Sequence, residues 1–276
     1  MDSGLDELGS VTALQVTATK GFSLRHVDVV DVTPTGIAGN REFFLVDVDG
    51  RLYSVPKDPV FLAYWTLYDR GSNTFSIGQS GTTECASVVR HVGTVRPFTF
   101  DDRTVYGWWT PGPWDEWFSR RAGRNLRLAQ CAEPGGGYDV YPVTLQSTAS
   151  LSALGNELDG RPVDPDRFRL NITVDVGDLP FVEDTWEGQI LTAGTCRLGM
   201  RSGIPRCLAV ESRPADADRG LQMQRRIREV RGPTPSKEWG PAVLFGVYAE
   251  VVDPGRVATG DPVFMNSGRS RDPWPS

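Results

Sequence analysis

The 276-residue sequence predicts a mainly β protein of the α+β type with only short helices, on three observations. Apolar and polar residues alternate between turn signals through the N-terminal half, the period of half-buried strands. The run Arg41-Glu-Phe-Phe-Leu-Val-Asp-Val-Asp49-Gly50-Arg-Leu-Tyr-Ser-Val55 reads as a hairpin, with Asp49-Gly50 supplying the positive φ of a two-residue turn. Stretches with helical spacing are few and brief.

Taken in order, Val11–Val16, Val27–Val32, Ala63–Asp69 and Thr74–Ile77 read as strands, separated by turns at Pro34-Thr-Gly36 and Gly71-Ser-Asn73. Pro113–Gly123 reads as a helix: Asp115 and Glu116 lie early, Arg120 and Arg121 late, and Gly123 stands past the end, matching the capping rules and the macrodipole. Ser147–Gly160 places Leu151, Leu154 and Leu158 at helical spacing before Gly160 and forms a second helix. Asp218–Val230 is a third candidate. Glu133-Pro-Gly-Gly-Gly-Tyr138 is the best break in the chain, dividing a β-rich N-terminal domain (1–132) from a second domain (138–265), with a frayed tail at 266–276. Gly135–Gly137 has no Gly-Lys-Ser or G-x-G-x-x-G context, so it reads as a linker and not as a phosphate loop.

Composition removes several classes of function. Hydrophobic residues at 39% and charged residues at 23% describe a folded globular chain. A net charge of −6 argues against nucleic acid and anionic membranes as partners, so any anionic ligand has to be met by a local cluster of cations. No apolar run approaches the roughly 18 residues of a membrane span, and the acidic start Met1-Asp-Ser-Gly-Leu-Asp-Glu is unlike a secretory signal, which points to the cytoplasm. Four widely spaced cysteines without a C-x-x-C pair disfavour a structural zinc site or a disulfide framework, and two histidines leave little for a histidine-based site.

Chemistry is therefore expected at sulfur. Cys207, in Gly203-Ile-Pro-Arg-Cys207-Leu-Ala-Val210, directly follows the guanidinium of Arg206, and a neighbouring cation favours the thiolate that attacks electrophiles or binds a soft metal. By itself a lone cysteine in apolar surroundings is more often core, and Cys196 reads as a strand residue. Arg169 and Asn171 stand two apart in a predicted strand and so would face one side, as a shared ligand needs. Asp139, Asp178, Glu183 and Asp184 are the acids nearest these motifs, with turn or capping roles as the plainer reading. Trp108, Trp109, Trp114 and Trp117 could line a substrate mouth or pack the helix at Pro113.

The order Lys20, Gly36-Ile-Ala-Gly-Asn-Arg41, Pro142, Phe168-Arg-Leu-Asn171, Pro180-Phe-Val-Glu-Asp-Thr-Trp186, Pro205-Arg-Cys207, Leu244-Phe-Gly-Val-Tyr248 and Gly260-Asp-Pro-Val-Phe264 resembles the two-part proteins of the MOSC family, named for the molybdenum cofactor sulfurase C-terminal domain. The resemblance implies a β-barrel core with flanking helices that holds the molybdenum cofactor, a pterin dithiolene with one phosphate. It implies that Cys207 is the metal ligand and catalytic residue, and that Lys20, Arg41, Arg169, Asn171, Arg206 and Tyr248 hold the cofactor. The implied activity is that of a molybdenum-dependent oxidoreductase acting on N-hydroxylated or N-oxygenated small molecules, with electrons from a separate electron-transfer protein or reductase. Sulfur transfer through a persulfide on Cys207, or a non-catalytic cofactor carrier, are the alternatives. The sequence departs from the family pattern at Ile204, Pro205, Leu170, Val140, Tyr141 and Gly21, all beside expected cofactor contacts.

Overall fold

A computed structural model describes all residues except 1–4, 54–57, 102, 157–159, 161, 215–219, 233, 237 and 267–276. Seven strands close a barrel: β1 (Leu5–Val16), β2 (Val143–Ser147), β3 (Ile172–Asp175), β4 (Ile190–Ala193), β5 (Cys196–Pro205), β6 (Leu244–Asp253) and β7 (Pro262–Asn266). Their order is β3-β2-β6-β5-β4-β7-β1, and β1 returns to pair with β3, so no barrel edge is left open. Only β2 and β3 run parallel; the other neighbours are antiparallel. The parallel pair needs a crossover, and the helix α2 (Thr148–Asn156) lies within it. Burial of Val11, Leu14, Leu145, Ile172, Leu191, Leu198, Val247 and Val263 supplies the aliphatic core.

The first strand thus folds with the C-terminal half, closing the barrel between β3 and β7. Residues 43–131 build a second body of two antiparallel sheets, one of four strands ordered 43–46, 127–131, 103–109 and 92–100, the other of three strands at 65–69, 74–79 and 82–88. Its core is aromatic: Phe22, Phe43, Phe61, Phe75, Trp114, Trp117 and Phe118 pack together. The helix α1 (Pro113–Ala122) contributes the last three and ends, as its sequence predicts, at Gly123 in the left-handed conformation with φ of 63°.

Several local expectations change. Val27–Val32 is broken into strands at 25–27 and 29–33. The 63–69 segment is a short 3-10 turn followed by a strand from Trp65. The predicted hairpin forms, but not through a two-residue turn. The Gly50 N–H donates to the Asp47 carbonyl at 3.1 Å and Asp47 N–H to the Arg51 carbonyl at 3.0 Å, with only Gly50 at positive φ. That is the three-residue loop ending in a left-handed glycine, and the Asp47 carboxylate selects it by accepting from the Asp49 and Arg51 amides. The third helix, α3, begins at Met223 and runs to Arg231, and residues 218–219 of the expected span lie outside the described residues, as do 267–276 of the tail.

The glycine run reads differently in three dimensions. A side chain on Gly135 would strike the Gly36 and Ile37 backbone, and one on Gly137 would come within 2.0 Å of the Arg41 carbonyl oxygen. These glycines let two backbone segments touch, which delivers Asp139 to Arg41; they are a packing contact and not merely a spacer.

Candidate functional site

A cavity of about 290 Å³ opens where the barrel meets the aromatic body. Lys20, Arg41, Arg169, Arg206, Cys207 and Tyr248 all line it, although they lie up to 228 positions apart in the chain (248 − 20). Backbone pairing explains the convergence. The chain leaving β1 runs beside residues 41–43, with Arg41 N–H donating to the Thr17 carbonyl at 2.6 Å and Lys20 N–H to the Phe43 carbonyl at 2.8 Å, which sets Lys20 and Arg41 at one end of the barrel. At the same end Pro205 pairs with Leu244, the Arg206 N–H donates to the Val243 carbonyl at 2.8 Å, and Tyr248 on β6 pairs with Thr144 on β2.

Arg169 reaches the cavity by a route the sequence did not suggest. It is not in a strand: Asp164 caps a 3-10 turn over Pro165–Phe168 by accepting from the Asp166 N–H, and Arg169 closes that turn in the left-handed region at φ of 57°. Arg41 is also left-handed, at 51°. Such backbone costs a non-glycine residue about 1–2 kcal/mol. The two arginines support each other, since Arg41 Nη2 donates to the Arg169 carbonyl at 2.9 Å and Arg169 Nη2 to the Phe22 carbonyl at 2.7 Å. Arg206 Nη2 donates to the Phe168 carbonyl at 2.5 Å. Two donors are left over: Arg169 Nη1 and Arg206 Nε are buried with no partner.

Asn171 does not line the cavity. It is fully buried behind it, where its Oδ1 accepts from Thr144 Oγ1 at 3.0 Å and its Nδ2 donates to the Gln15 carbonyl at 3.2 Å, tying β1, β2 and the start of β3 together. Because Thr144 is a lining residue, Asn171 shapes the wall from behind.

Electrostatics follow from crowding four cations. Burial lowers the pKa of Arg169 to about 9, with repulsion from Arg41 adding to it. Burial lowers that of Lys20 too, against the pull of Asp139. Arg206 is lowered by burial, opposed by Cys207 and Tyr248. Asp139 answers the cations, its carboxylate 2.5 Å from Lys20 Nζ and 3.7 Å from Arg41 Nη1. Desolvation raises its pKa, but Lys20 and Arg41 outweigh this and hold it well below the usual carboxylate range. Burial pushes the Tyr248 phenol up.

Cys207 is exposed, at the mouth of this cationic cluster, and its backbone is extended just before a 3-10 turn over Leu208–Glu211. Cys196 lies at the far end of the same strand region, fully buried, with its thiol pushed up to about 12 by burial, so it is a core residue and no redox partner of Cys207. Of the other acids, Glu183 is buried, accepting from Ser147 N–H and Oγ ahead of α2, and Asp184 pairs with Arg231. None of the four tryptophans lines the cavity: Trp114 and Trp117 are core, Trp108 stacks on His91, and Trp109 packs on Phe98. Tyr53, Asp101 and Tyr141 also line the cavity. Nothing in their local sequence marks Tyr53 or Asp101, while the departure from family pattern at Tyr141 was a signal. Among the described residues, no three His, Cys, Asp or Glu side chains cluster as a metal site of their own.

Residues 133–264 match the family model described as MOSC domain. The chain carries a MOSC domain. Within it lie β2 to β6 and the start of β7, and the MOSC domain supplies Arg169, Arg206, Cys207 and Tyr248 to the cavity, whereas Lys20 and Arg41 come from outside it. The chain is 29% identical over 133 residues to mitochondrial amidoxime-reducing component 1 of Homo sapiens, covering 46% of this chain and 37% of that protein. It is 30% identical over 133 residues to mitochondrial amidoxime reducing component 2 of Bos taurus, covering 46% and 38%. The chain therefore matches well under half the length of these relatives. A crystal structure of the YUAD protein from Bacillus subtilis is similar with a TM-score of 0.41 at 12% identity, over 95% of this chain and 97% of that one. No helix among the described residues is long and apolar enough to cross a membrane.

Proposed function

We propose that the cavity holds a molybdenum–pterin cofactor and that the protein is an oxidoreductase which reduces N-hydroxylated small molecules with electrons from a separate reductase. One observation carries the reading: an exposed thiol, Cys207, shares a cavity with four cations, two of which keep buried donors without partners. A soft thiolate suits molybdenum and unpaired guanidinium donors suit a phosphate, so the donor set fits both ends of that cofactor. Similarity to proteins named for amidoxime reduction supports the substrate class.

In this reading Cys207 binds the metal, and Lys20, Arg41, Arg169 and Arg206 neutralise the phosphate, with Tyr248 beside them and Asn171 fixing Thr144 from behind. When bound, the cofactor would supply the two-electron redox chemistry that cleaving the N–O bond requires. Reduction of an N-hydroxyl compound consumes two electrons and two protons and releases water. Asp139, held as a carboxylate at neutral pH by Lys20 and Arg41, orients those cations and is not a standing proton donor. Among the described residues the cysteines are not gathered into a metal-binding cluster, in keeping with electrons that arrive from another protein.

The test is elemental analysis and pterin assay of protein made in a cofactor-competent host. Wild type is expected to contain about one molybdenum per chain, and Cys207→Ala to lose most of it while unfolding at the same denaturant concentration. Wild-type metal content in Cys207→Ala would defeat the ligand assignment. Exposure of Cys207 also suits a persulfide carrier; a gain of one sulfur at Cys207 on intact-mass measurement after incubation with a cysteine desulfurase, without bound molybdenum, would favour that reading instead.

A further inference from the structure

We propose that Tyr141 is a specificity-determining residue of this cavity, selecting substrates whose non-reacting body is a flat aromatic ring. The inference rests on the reductase reading and names the other half of the substrate. Tyr141 lines the cavity together with Tyr248, their ring centroids 5.3 Å apart and tilted by 50°. Trp239 continues the row, 6.4 Å from Tyr248. The Tyr141 ring is held in place: the Arg201 guanidinium lies 5.7 Å from its centroid and is itself anchored to Glu250 by two hydrogen bonds of 2.8 Å. Its hydroxyl lies 3.5 Å from Glu238 Oε1.

Two apolar residues that neighbour lining residues in the chain are open to solvent. Val140, next to Asp139 in the chain, is 37% exposed, and Leu208, next to Cys207, is 57% exposed. Phe168, Ile204 and Pro205 add further apolar lining. The cations account for a phosphate, but the Tyr141 ring and the apolar lining offer an anion nothing and suit a flat, largely apolar body instead. A ring packed against Tyr141 gains burial and aromatic contact that a methyl group does not, on the order of tenfold in affinity.

The experiment compares two compounds with the same reacting group, benzamidoxime and acetamidoxime, on the holoprotein, by calorimetric binding and by steady-state kinetics with a chemical or protein electron donor. Wild type and Tyr141→Phe are expected to bind benzamidoxime about tenfold more tightly than acetamidoxime. In Tyr141→Ser, and in Tyr141→Leu, which keeps the volume filled, that ratio is expected to fall towards one, with the loss in KM and not in kcat. A ratio that survives in both Ser and Leu variants overturns the proposal, as does a wild type that reduces both compounds without preference or binds neither. A wild type that binds the aryl compound more tightly through Tyr141 yet reduces neither upholds the aromatic subsite and defeats the reductase reading.

Discussion

Inside the barrel, Leu145, Ile172, Leu198 and Val247 are fully buried among aliphatic neighbours on strands paired on both sides. Just beyond the strand ends, Arg41 and Arg169 sit in left-handed backbone with buried charge, and Arg169 retains an unpartnered donor. The first region is aliphatic packing between paired strands, and the second gathers strained backbone and buried charge within one cavity. What the contrast teaches is a division of labour: closure of the barrel supplies the stability, and the rim spends part of it holding cations together ready for an anion.

The largest effect that could break this contrast is expected in the barrel. Leu145→Ala should lower unfolding free energy by about 2–5 kcal/mol in urea denaturation, because Leu145 is held between Ile172 and Val247 on the neighbouring strands. A loss under about 1 kcal/mol would show that stability resides elsewhere.

A sharper and smaller effect is expected at the rim. Arg169→Gly removes both a left-handed side chain and a buried charge, so the urea midpoint should rise by the equivalent of about 1 kcal/mol. Affinity for inorganic phosphate, measured by calorimetry, should fall about tenfold through loss of a charged donor. Loss of stability in this variant would make Arg169 a structural residue and erase the contrast.

The smallest effect concerns pH. Burial lowers the Arg169 pKa to about 9, whereas the unfolded chain keeps that proton to a higher pH, in the ordinary guanidinium range. An anion favours the charged form, so phosphate affinity should weaken as pH rises through about 9. Over the window between the folded and unfolded values the folded state binds fewer protons, so the Arg169 contribution to stability rises with pH there. Phosphate titrations on either side of that value, repeated with Arg169→Gln, check the first half: an equal drop in the variant would assign the titration to another group such as Lys20.

Where the sequence was legible, the signal was local. The α1 helix could be read from acids, arginines and Gly123 because capping involves residues a few positions apart. Cys207 stood out for the guanidinium beside it, and Lys20, Arg41, Arg169, Arg206 and Tyr248, singled out by family pattern, do line one cavity with it. The misreadings fell where a local choice was settled by distant partners. Arg169-Leu-Asn171 alternates like a strand, yet Asp164-Pro165 starts a turn that places Arg169 at the rim and sends Asn171 into the wall, where Thr144 and Gln15 take up its amide. The glycines at 135 and 137 look like a spacer until Gly36 and Arg41 are laid against them.

The sequence by itself determined a strand-rich chain, the short helices, an acidic surface that must concentrate its cations locally, and the thiol on which the chemistry is proposed to turn. Only the tertiary structure decided that the first strand closes a barrel otherwise made by the C-terminal half, that Asp139 clasps Lys20 and Arg41, and that Tyr141 joins Tyr248 in the wall. Periodicity and capping are properties of neighbouring residues, written into the chain. Barrel closure depends on register between strands more than a hundred residues apart, and the position of every rim side chain is a consequence of that closure.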